Sequence, residues 1–403
     1  MITEKLYNAT TVNFLKASAT VALRRYASWD VNPRLDVHTF QCDLPVEEAT
    51  TPPASWYTHA YFHDMELKTV FSNNWLAVGR VDQLKEPGCY FTGSVGNRNF
   101  VVTRDNRDFL HAFHNVCRHR GMTLCSEDSG QTCEFKCPYH GWTYDLTGRL
   151  TRAKKLRGIK NFSASKYGLK PLQVSTWGPL VFVNANDTAN ESEFHDEVAA
   201  IENCMKGFEF NESWCFVKRV TYPLKCNWKV VCDNVLDNGY HVTMTHPNYS
   251  KLLELNSLKT KLLSRSSICT VESSNNDPRV SGNVMLAHIY PNLILNRYGP
   301  WLDTNIVMPV SANECVIIYD YYLLQSFVDT TSPRYLPKYI DDSILDSDKL
   351  QREDNMVCEG TQKGLQSSGY EVGRYAPQDE KPDYAFHRHL AEDFKQYLSL
   401  HRN

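Results

Sequence analysis

"NVCRHRGMTLCSEDSGQTCEFKCPYHGWTYD", residues 115–145, decides the interpretation of the whole chain. Four cysteines and two histidines fall within these 31 residues. Cys117 and His119 stand in the form Cys-x-His, and Cys137 and His140 stand in the form Cys-x-x-His. Thiolates and imidazoles paired in this way are typical of a metal centre held between two loops.

The order of the donors separates two kinds of metal site. A structural zinc site also accepts two thiolates and two imidazoles, but its usual order is a cysteine pair followed by a histidine pair. Here each loop offers one thiolate and one imidazole, and 17 residues separate His119 from Cys137. A Rieske [2Fe–2S] cluster uses such a set, because one iron takes both cysteines and the other takes both histidines. The sequence therefore predicts a Rieske cluster, with zinc as the alternative.

The composition is that of an ordinary globular protein. The 403 residues are 42% hydrophobic and 22% charged, and they suffice for two domains with separate cores. No run approaches the roughly 18 apolar residues of a membrane span. A formal net charge of −3 gives no reason to expect nucleic-acid binding. Thirteen scattered cysteines in a long chain favour a reducing compartment over a disulfide framework.

Residues 1–54 are expected to form an N-terminal extension. Residues 1–28 contain four basic residues and one acid among many serines and threonines. This is the composition of an organelle presequence for a chloroplast or a mitochondrion. The alternative is an N-terminal helix that is never removed, in a cytoplasmic protein. Residues 29–54 contain four prolines, which predicts an extended linker.

The rest of the chain is expected to form two domains. Residues 55–185 contain short β-type runs separated by turn residues, with the four metal donors at loop tips. Residues 186–403 combine further strands with helical segments, notably 227–246 and 341–367. Strands in runs, with helices set apart from them, predict an α+β fold.

A second metal site is indicated in "NWKVVCDNVLDNGYHVTMTHP", residues 227–247. His241 and His246 stand five residues apart near a helix end. A ferrous iron that activates O₂ takes two imidazoles and one carboxylate, which leaves coordination positions open. A histidine pair alone is more often part of a core or a surface. The Rieske motif upstream is what makes a mononuclear iron site the better interpretation.

The cluster segment resembles the Rieske domain of ring-hydroxylating and related oxygenases. It lacks the extra cysteine pair of the respiratory Rieske proteins, and Cys125 and Cys133 are expected to be small buried thiols instead. Further segments are similar in order and spacing to the plant, choline-oxidising branch of the Rieske non-haem iron oxygenases, over about residues 54–395. These segments are "CDNVLDNGYHV", "YPNLILNRYGPW", "LQREDNMVCE" and "GRYAPQDEKPDYAFH".

The resemblance implies a fold and an assembly. The fold is a Rieske β-domain followed by a helix-grip catalytic domain, in which an antiparallel sheet covers the mononuclear iron. The assembly is a homotrimer, in which the cluster of one subunit faces the iron of the next.

The resemblance also implies the third iron ligand. Asp354 occupies the position of the family's ligand aspartate, in a segment expected to be helical. Glu353 and Glu359 are competing carboxylates that would otherwise belong to a solvated helix face.

A further carboxylate is expected to connect the two metal centres. Many family members place it three residues before the first iron histidine, where this chain has Asn238. Asp237 lies four residues before His241, one helical turn away, and the choline branch shares an acid there. It would orient His241 and couple it to His140 of a neighbouring subunit.

The implied activity is O₂-dependent monooxygenation of choline to the hydrate of betaine aldehyde, with electrons from a reduced ferredoxin. Another quaternary amine, such as a betaine or a carnitine-like substrate that is N-demethylated, is the alternative substrate. A Rieske or zinc protein that binds a partner without catalysis is the alternative from another class. Aromatic faces bind quaternary ammonium groups, so Tyr290, Tyr298 and Trp301 are predicted substrate contacts, although strand aromatics are often core.

A run of bases could receive the electron donor. "GRLTRAKKLRGIK", residues 148–160, holds six basic residues and no acid directly after the second cluster loop. Such a run is most often a solvated face. Ferredoxins are generally acidic, however, so the run is a candidate docking surface.

Overall fold

The computed structural model describes residues 32–205, 210, 213–273, 277 and 279–401. The predicted presequence, residues 1–28, lies outside the described residues. The helices are α1 Pro33–Thr39, α2 Ser55–Thr58, α3 Ala60–Lys68, α4 Val70–Asn73, α5 Glu191–Cys204, α6 Trp228–Leu236, α7 Val242–Thr245, α8 Gln325–Thr330, α9 Leu336–Leu365 and α10 Lys381–Leu400. None of these described helices is both long enough and apolar enough to cross a bilayer.

The strands are β1 Leu76–Arg80, β2 Cys89–Val95, β3 Arg98–Arg104, β4 Leu110–His114, β5 Ser129–Gln131, β6 Phe135–Lys136, β7 Thr143–Tyr144, β8 Leu150–Arg152, β9 Pro171–Trp177, β10 Leu180–Asn184, β11 Trp214–Leu224, β12 Leu253–Leu262, β13 Ser266–Ser273, β14 Asn283–Ile289, β15 Leu293–Tyr298, β16 Trp301–Ser311 and β17 Glu314–Leu324. They form three sheets whose pairings are antiparallel, and the helices are set apart from them, which confirms the α+β prediction.

The first sheet and a small second sheet carry the cluster loops. The first sheet has the strand order β1-β10-β9-β4-β3-β2-β5, and the second has the order β6-β7-β8. One cluster loop follows β4, and the other connects β6 to β7. Both loops rest on a shared apolar core that includes Phe113, Phe135 and Tyr144. Cys125 is half-buried but Cys133 is exposed, so the expectation of a buried thiol was wrong for Cys133, which lies in the turn before β6.

The large catalytic sheet has the order β11-β17-β16-β15-β14-β13-β12. Side chains alternate between its two faces. On one face Leu302 and Ile306 pack with Leu180 of the first sheet and with α5 residues. On the other face Trp301 packs with Tyr339 of α9. Since both faces are covered, β16 is buried along nearly its whole length, and polar side chains on it can lie deep inside the domain.

Residues 55–73 form α2 to α4 before the first sheet begins, and they pack against the catalytic half of the chain. Glu66 of α3 forms an ion pair with Lys229 of α6, and both side chains are fully buried. The indole Nε1 of Trp228 donates a 2.7 Å hydrogen bond to the same carboxylate. Such an additional hydrogen bond offsets part of the cost of burying a charged pair. The contact connects α3, which precedes the first sheet, to α6 of the catalytic half.

The expectation of an extended linker was wrong for the described part of residues 29–54. Pro33 begins α1, as proline suits the first turn of a helix. Val37 and Phe40 are buried, and the Phe40 ring lies 5.4 Å from that of Trp56. Apolar residues between the prolines therefore bind this segment to the body of the protein.

Candidate metal centres

The two cluster loops repeat one backbone conformation. In the first loop the amide of Gly121 donates to the carbonyl of Cys117 at 3.0 Å, and in the second the amide of Gly141 donates to the carbonyl of Cys137 at 3.0 Å. Both glycines have φ above 70°, a left-handed conformation that residues with a Cβ rarely adopt. Each turn returns the chain so that a cysteine and a histidine point toward the other loop.

The four predicted cluster donors meet where the loops face each other. Nδ1 of His119 lies 3.1 Å from Nδ1 of His140. The two cysteines are buried below, and both imidazoles are exposed. Burial raises the pKa of the Cys117 thiol, so a metal is needed to hold it as a thiolate. Two thiols on the inside and two converging imidazole nitrogens on the outside suit a Rieske cluster.

The predicted helix over 227–246 is divided in the structure. Helix α6 ends at Leu236, and α7 begins at Val242. Between them Asn238 and Gly239 have φ values of 59° and 83°. These two left-handed residues turn the chain back on itself, so Asp237 meets His241 across a turn and not along a helix. The contact between Asp237 and His241 was predicted, but the prediction that they lie one turn apart on a single helix was wrong.

His241, His246 and Asp354 come together as one group. Their ligand atoms all lie within 4.8 Å of one another, although Asp354 is on α9, 108 residues after His246. Nε2 of His246 lies 2.9 Å from Oδ1 of Asp354, and Nε2 of His241 lies 3.6 Å from the same oxygen. Burial disfavours charge on His246, but the carboxylates of Asp354 and Glu353 raise its pKa above the ordinary value. The group therefore stabilises positive charge at its centre, as a cation site must.

Carboxylates fix the outer nitrogen of each histidine. Nδ1 of His241 donates to Asp237 at 2.6 Å, and Nδ1 of His246 donates to Glu353 at 2.6 Å. Each bond leaves Nε2 facing inward, which is the usual second-sphere arrangement around a metal. From the sequence, Glu353 was a competing iron ligand or a residue of a solvated helix face, and its contact with His246 was not predicted. Glu359, the other competing carboxylate, accepts instead from the backbone amide of Lys225 at 3.0 Å.

A cavity of about 210 Å³ lies beside the triad. Of the predicted substrate contacts, Tyr298 lines this cavity. Tyr290 points away and donates to Asp393 at 2.8 Å, and the indole of Trp301 donates to Tyr339 at 3.0 Å. Their positions on the strands keep Tyr290 and Trp301 out of the cavity. Tyr290 lies in a turn before β15, and Trp301 lies at the start of β16, beneath the first half of α9. Two of the three predicted aromatic residues therefore do not line the cavity.

Two more aromatic residues line the cavity: Tyr319, from the aromatic strand residues that follow Trp301 in sequence, and Tyr249, which the sequence did not indicate. Tyr249 and Tyr319 join Tyr298 in its wall. Tyr319 reaches this face because side chains on β17 alternate, and its hydroxyl donates to Gln351 of α9.

The basic run after the second cluster loop is partly paired. Arg149 forms an ion pair with Asp145, and Arg152 forms one with Glu134. Lys154 and Lys155 are exposed and line the surface depression that contains both cluster histidines. Part of the unpaired positive charge of the run therefore lies at the edge of the cluster site.

Two protein-family models match the chain. The Rieske [2Fe-2S] domain matches residues 74–163, and the catalytic domain of the ring hydroxylating alpha subunit matches residues 211–273 and 266–396. The first match contains all four cluster donors, and the second contains the triad.

Curated relatives match over most of their length. The chain is 41% identical over 372 residues to the chloroplastic choline monooxygenase of Arabidopsis thaliana, covering 89% of this chain and 86% of that protein. It is 38% identical over 362 residues to the chloroplastic choline monooxygenase of Beta vulgaris, covering 88% and 80%. Among solved structures, the quaternary ammonium Rieske monooxygenase CntA superposes with a TM-score of 0.76 at 24% identity, covering 88% of this chain and 97% of that one.

Proposed function

This chain belongs to the choline monooxygenase family of Rieske non-haem iron oxygenases, and from that membership we propose that it oxidises choline with O₂ to the hydrate of betaine aldehyde. The observation that carries the substrate is 41% identity to a choline monooxygenase over 89% of the chain. That stretch includes both cluster loops, the histidine pair and Asp354. The enzyme is a Rieske-type monooxygenase, and the choice of choline is the proposal.

Its cofactors are a Rieske [2Fe–2S] cluster and a mononuclear iron. We assign the cluster to Cys117, His119, Cys137 and His140, because these donors converge from two matched loops. The iron is assigned to the triad of His241, His246 and Asp354. The cluster supplies single electrons, and the iron supplies O₂ activation for insertion of one oxygen atom into a C–H bond.

The protein's own residues hold this chemistry in place. Asp237 and Glu353 fix the two imidazole rings, so that both Nε2 atoms keep their direction through turnover. Side chains of the catalytic sheet and of α9 line the cavity and limit the space in which a substrate can lie beside the triad. Choline would place the carbon that bears its hydroxyl toward the triad.

A homotrimer would complete the electron path. Tyr139, beside His140, is 58% exposed, so the cluster edge presents an apolar surface. Tyr240 and Met244, beside the triad, are 62% and 86% exposed. Two such patches on one chain can face each other in a head-to-tail ring, which closes with rotational symmetry. The cluster of one subunit would then lie against Asp237 of the next.

A reduced ferredoxin is the proposed electron donor, and Lys154 and Lys155 would be its contact. Both side chains are exposed beside the cluster histidines. Clustered positive charge of this kind raises the association rate of an acidic partner. The chloroplast stroma is the proposed location, because the relatives named above are chloroplastic and residues 1–28 have a presequence composition.

A substrate panel tests the proposal. The iron-reconstituted protein, supplied with reduced ferredoxin, is given choline, glycine betaine or L-carnitine, and O₂ consumption is measured. We expect choline to give the highest kcat/KM. Faster turnover of glycine betaine or L-carnitine would assign the enzyme to another quaternary amine. If none of the three compounds raises O₂ consumption, oxidation of choline and oxidation of the other two amines are both contradicted.

A further inference from the structure

Asp303 is a buried carboxylate in the wall of the cavity beside the triad. Its side chain is on β16, and the residue is 2% exposed. In register it lies between Asn296 of β15 and Tyr321 of β17. Apart from Asp354, it is the one carboxylate among the described residues that line this cavity.

The two carboxylate oxygens of Asp303 have different partners. Oδ2 accepts a 2.9 Å hydrogen bond from the amide of Asn296. Oδ1 is buried and accepts no hydrogen bond of good geometry among the described residues, although Tyr298 and Asn305 lie near enough to Asp303 to lower its pKa. A buried carboxylate oxygen without a partner is energetically costly, and such atoms are rare unless something else occupies the site.

The nearby cation does not neutralise Asp303. Arg279 stacks over the Tyr298 ring, 5.6 Å from its centroid, and forms no ion pair with Asp303 among the described contacts. It lines the same cavity as Asp303 and also borders an adjoining cavity, where Asp346 and Glu353 provide negative charge. Burial raises the pKa of Asp303 to about 6, and its hydrogen bonds and Arg279 offset this only in part.

Aromatic side chains stand next to this carboxylate. Tyr298 and Tyr319 line the same cavity. Burial raises the pKa of Tyr319, and the negative charges of Asp303 and Asp354 raise it further. The cavity wall thus carries the metal-binding carboxylate of Asp354 and a second carboxylate, Asp303, with aromatic rings beside it.

We propose that Asp303 is the counter-ion for the quaternary ammonium group of the substrate, and that it selects a cationic amine without a carboxylate. This inference rests on the proposed function, since it specifies how the same cavity distinguishes its substrates. A trimethylammonium group cannot donate a hydrogen bond, so a buried charge and aromatic faces are the contacts left to it. The carboxylate of a betaine or a carnitine would be repelled by the like charge of Asp303.

An uncharged isostere of choline isolates this contact. In 3,3-dimethylbutan-1-ol a tert-butyl group replaces trimethylammonium, so size and hydroxyl are kept and the charge is removed. Binding of both compounds to the iron-reconstituted protein is measured by calorimetry, for the wild type and for Asp303→Asn. Loss of one member of a buried charge pair corresponds to a factor on the order of 30 or more. We expect the preference for choline over the isostere to fall by about that factor in the variant.

Asp320→Asn is the matched control. Asp320 is also buried, on the adjacent strand β17, but it pairs with Arg219 on the opposite face of the sheet. We expect this variant to keep the choline preference. Retained iron binding at the triad and an unchanged circular dichroism spectrum show that the catalytic domain of each variant is folded.

A pH series on the wild type gives a second measurement that needs no variant. Protonation of Asp303 below pH about 6 removes its charge, so the choline preference should fall as the pH drops through that value. Asn296 and Asn305 beside Asp303 do not titrate. The titratable groups that face it are Arg279, Tyr249, Tyr298, Tyr319 and Tyr321, and none of them changes charge near pH 6. The series is run on the iron-loaded protein, in which the metal-binding residues are held as ligands, because their protonation would affect a cationic and a neutral compound differently.

The outcomes separate the two proposals. A preference for choline that is unchanged by Asp303→Asn or, if that variant does not fold, by low pH overturns the role of Asp303, even when choline is oxidised. Asp303-dependent binding of choline without its oxidation supports the counter-ion and contradicts the proposed function.

Discussion

Oδ2 of Asp237 accepts two hydrogen bonds from His241, one from the ring Nδ1 at 2.6 Å and one from the backbone amide at 3.0 Å. The carboxylate therefore fixes both the ring and the chain that carries it. Asn238 and Gly239 make this contact possible by turning the backbone between the two residues. The same carboxylate lies beside exposed side chains, where a neighbouring cluster could reach it.

With the iron site saturated, Asp237→Asn should keep the cluster and slow the electron transfer between the two metals. An amide keeps the size of the side chain but removes the negative charge that couples two imidazole groups. Stopped-flow oxidation of the reduced cluster in the presence of choline and O₂ measures the step, and we expect a decrease of about 10-fold to 100-fold. An unchanged rate would show that Asp237 does not connect the centres.

Glu353→Gln should weaken iron binding at the triad by about 10-fold to 100-fold, because Nδ1 of His246 loses its carboxylate partner. Iron titration of the metal-depleted protein measures the affinity. Glu359→Gln serves as the control on the same helix, since Glu359 contacts the backbone of Lys225 and not a histidine. If the two substitutions weakened iron binding equally, Glu353 would act only through its negative charge on α9 and not through its hydrogen bond to His246.

Cys117→Ser should abolish the visible absorption of the cluster, and His140→Ala should do the same, because each removes a proposed ligand. The exposed Cys133 offers a control, and Cys133→Ser should keep the spectrum. Absorption that survives in both ligand variants would contradict the assignment of the four donors.

Replacing Lys154, Lys155 and Arg157 with Ala should lower ferredoxin-supported turnover at low salt. Steering acts through the association rate and weakens as the Debye length shortens, to about 8 Å at physiological ionic strength. Turnover with a small chemical reductant should not change. Lys259 and Lys261, exposed on β12, provide a control for lost positive charge. If turnover with ferredoxin and turnover with the chemical reductant fell together, the basic residues would be needed for the structure and not for docking. If neither fell, the electron donor would bind at another surface.

Local spacing made the cluster loops predictable. Cys117 and His119, like Cys137 and His140, are near neighbours in sequence, so a loop alone brings each pair together. The α+β class was also evident from runs of strands set apart from helices. Asp354 was reached by resemblance, since no spacing connects it to a histidine 108 residues earlier.

Contacts that depend on register could not be predicted in this way. Whether Tyr298 or Trp301 lines the cavity is decided by which residues of β15 and β16 lie beneath a given turn of α9. Glu353 is adjacent in sequence to Asp354, and only the position of His246 shows that both carboxylates reach the same ring. The break in the helix at Asn238 follows from a left-handed conformation that asparagine tolerates but does not require.

The most direct test of the account is identification of the product formed from choline. The reconstituted protein is reduced by ferredoxin, given choline and O₂, and the products are analysed by mass spectrometry. The account predicts betaine aldehyde without formaldehyde, because the oxygen enters at the carbon that bears the hydroxyl. Formaldehyde together with dimethylaminoethanol would contradict it, since that pair marks oxidation at an N-methyl group.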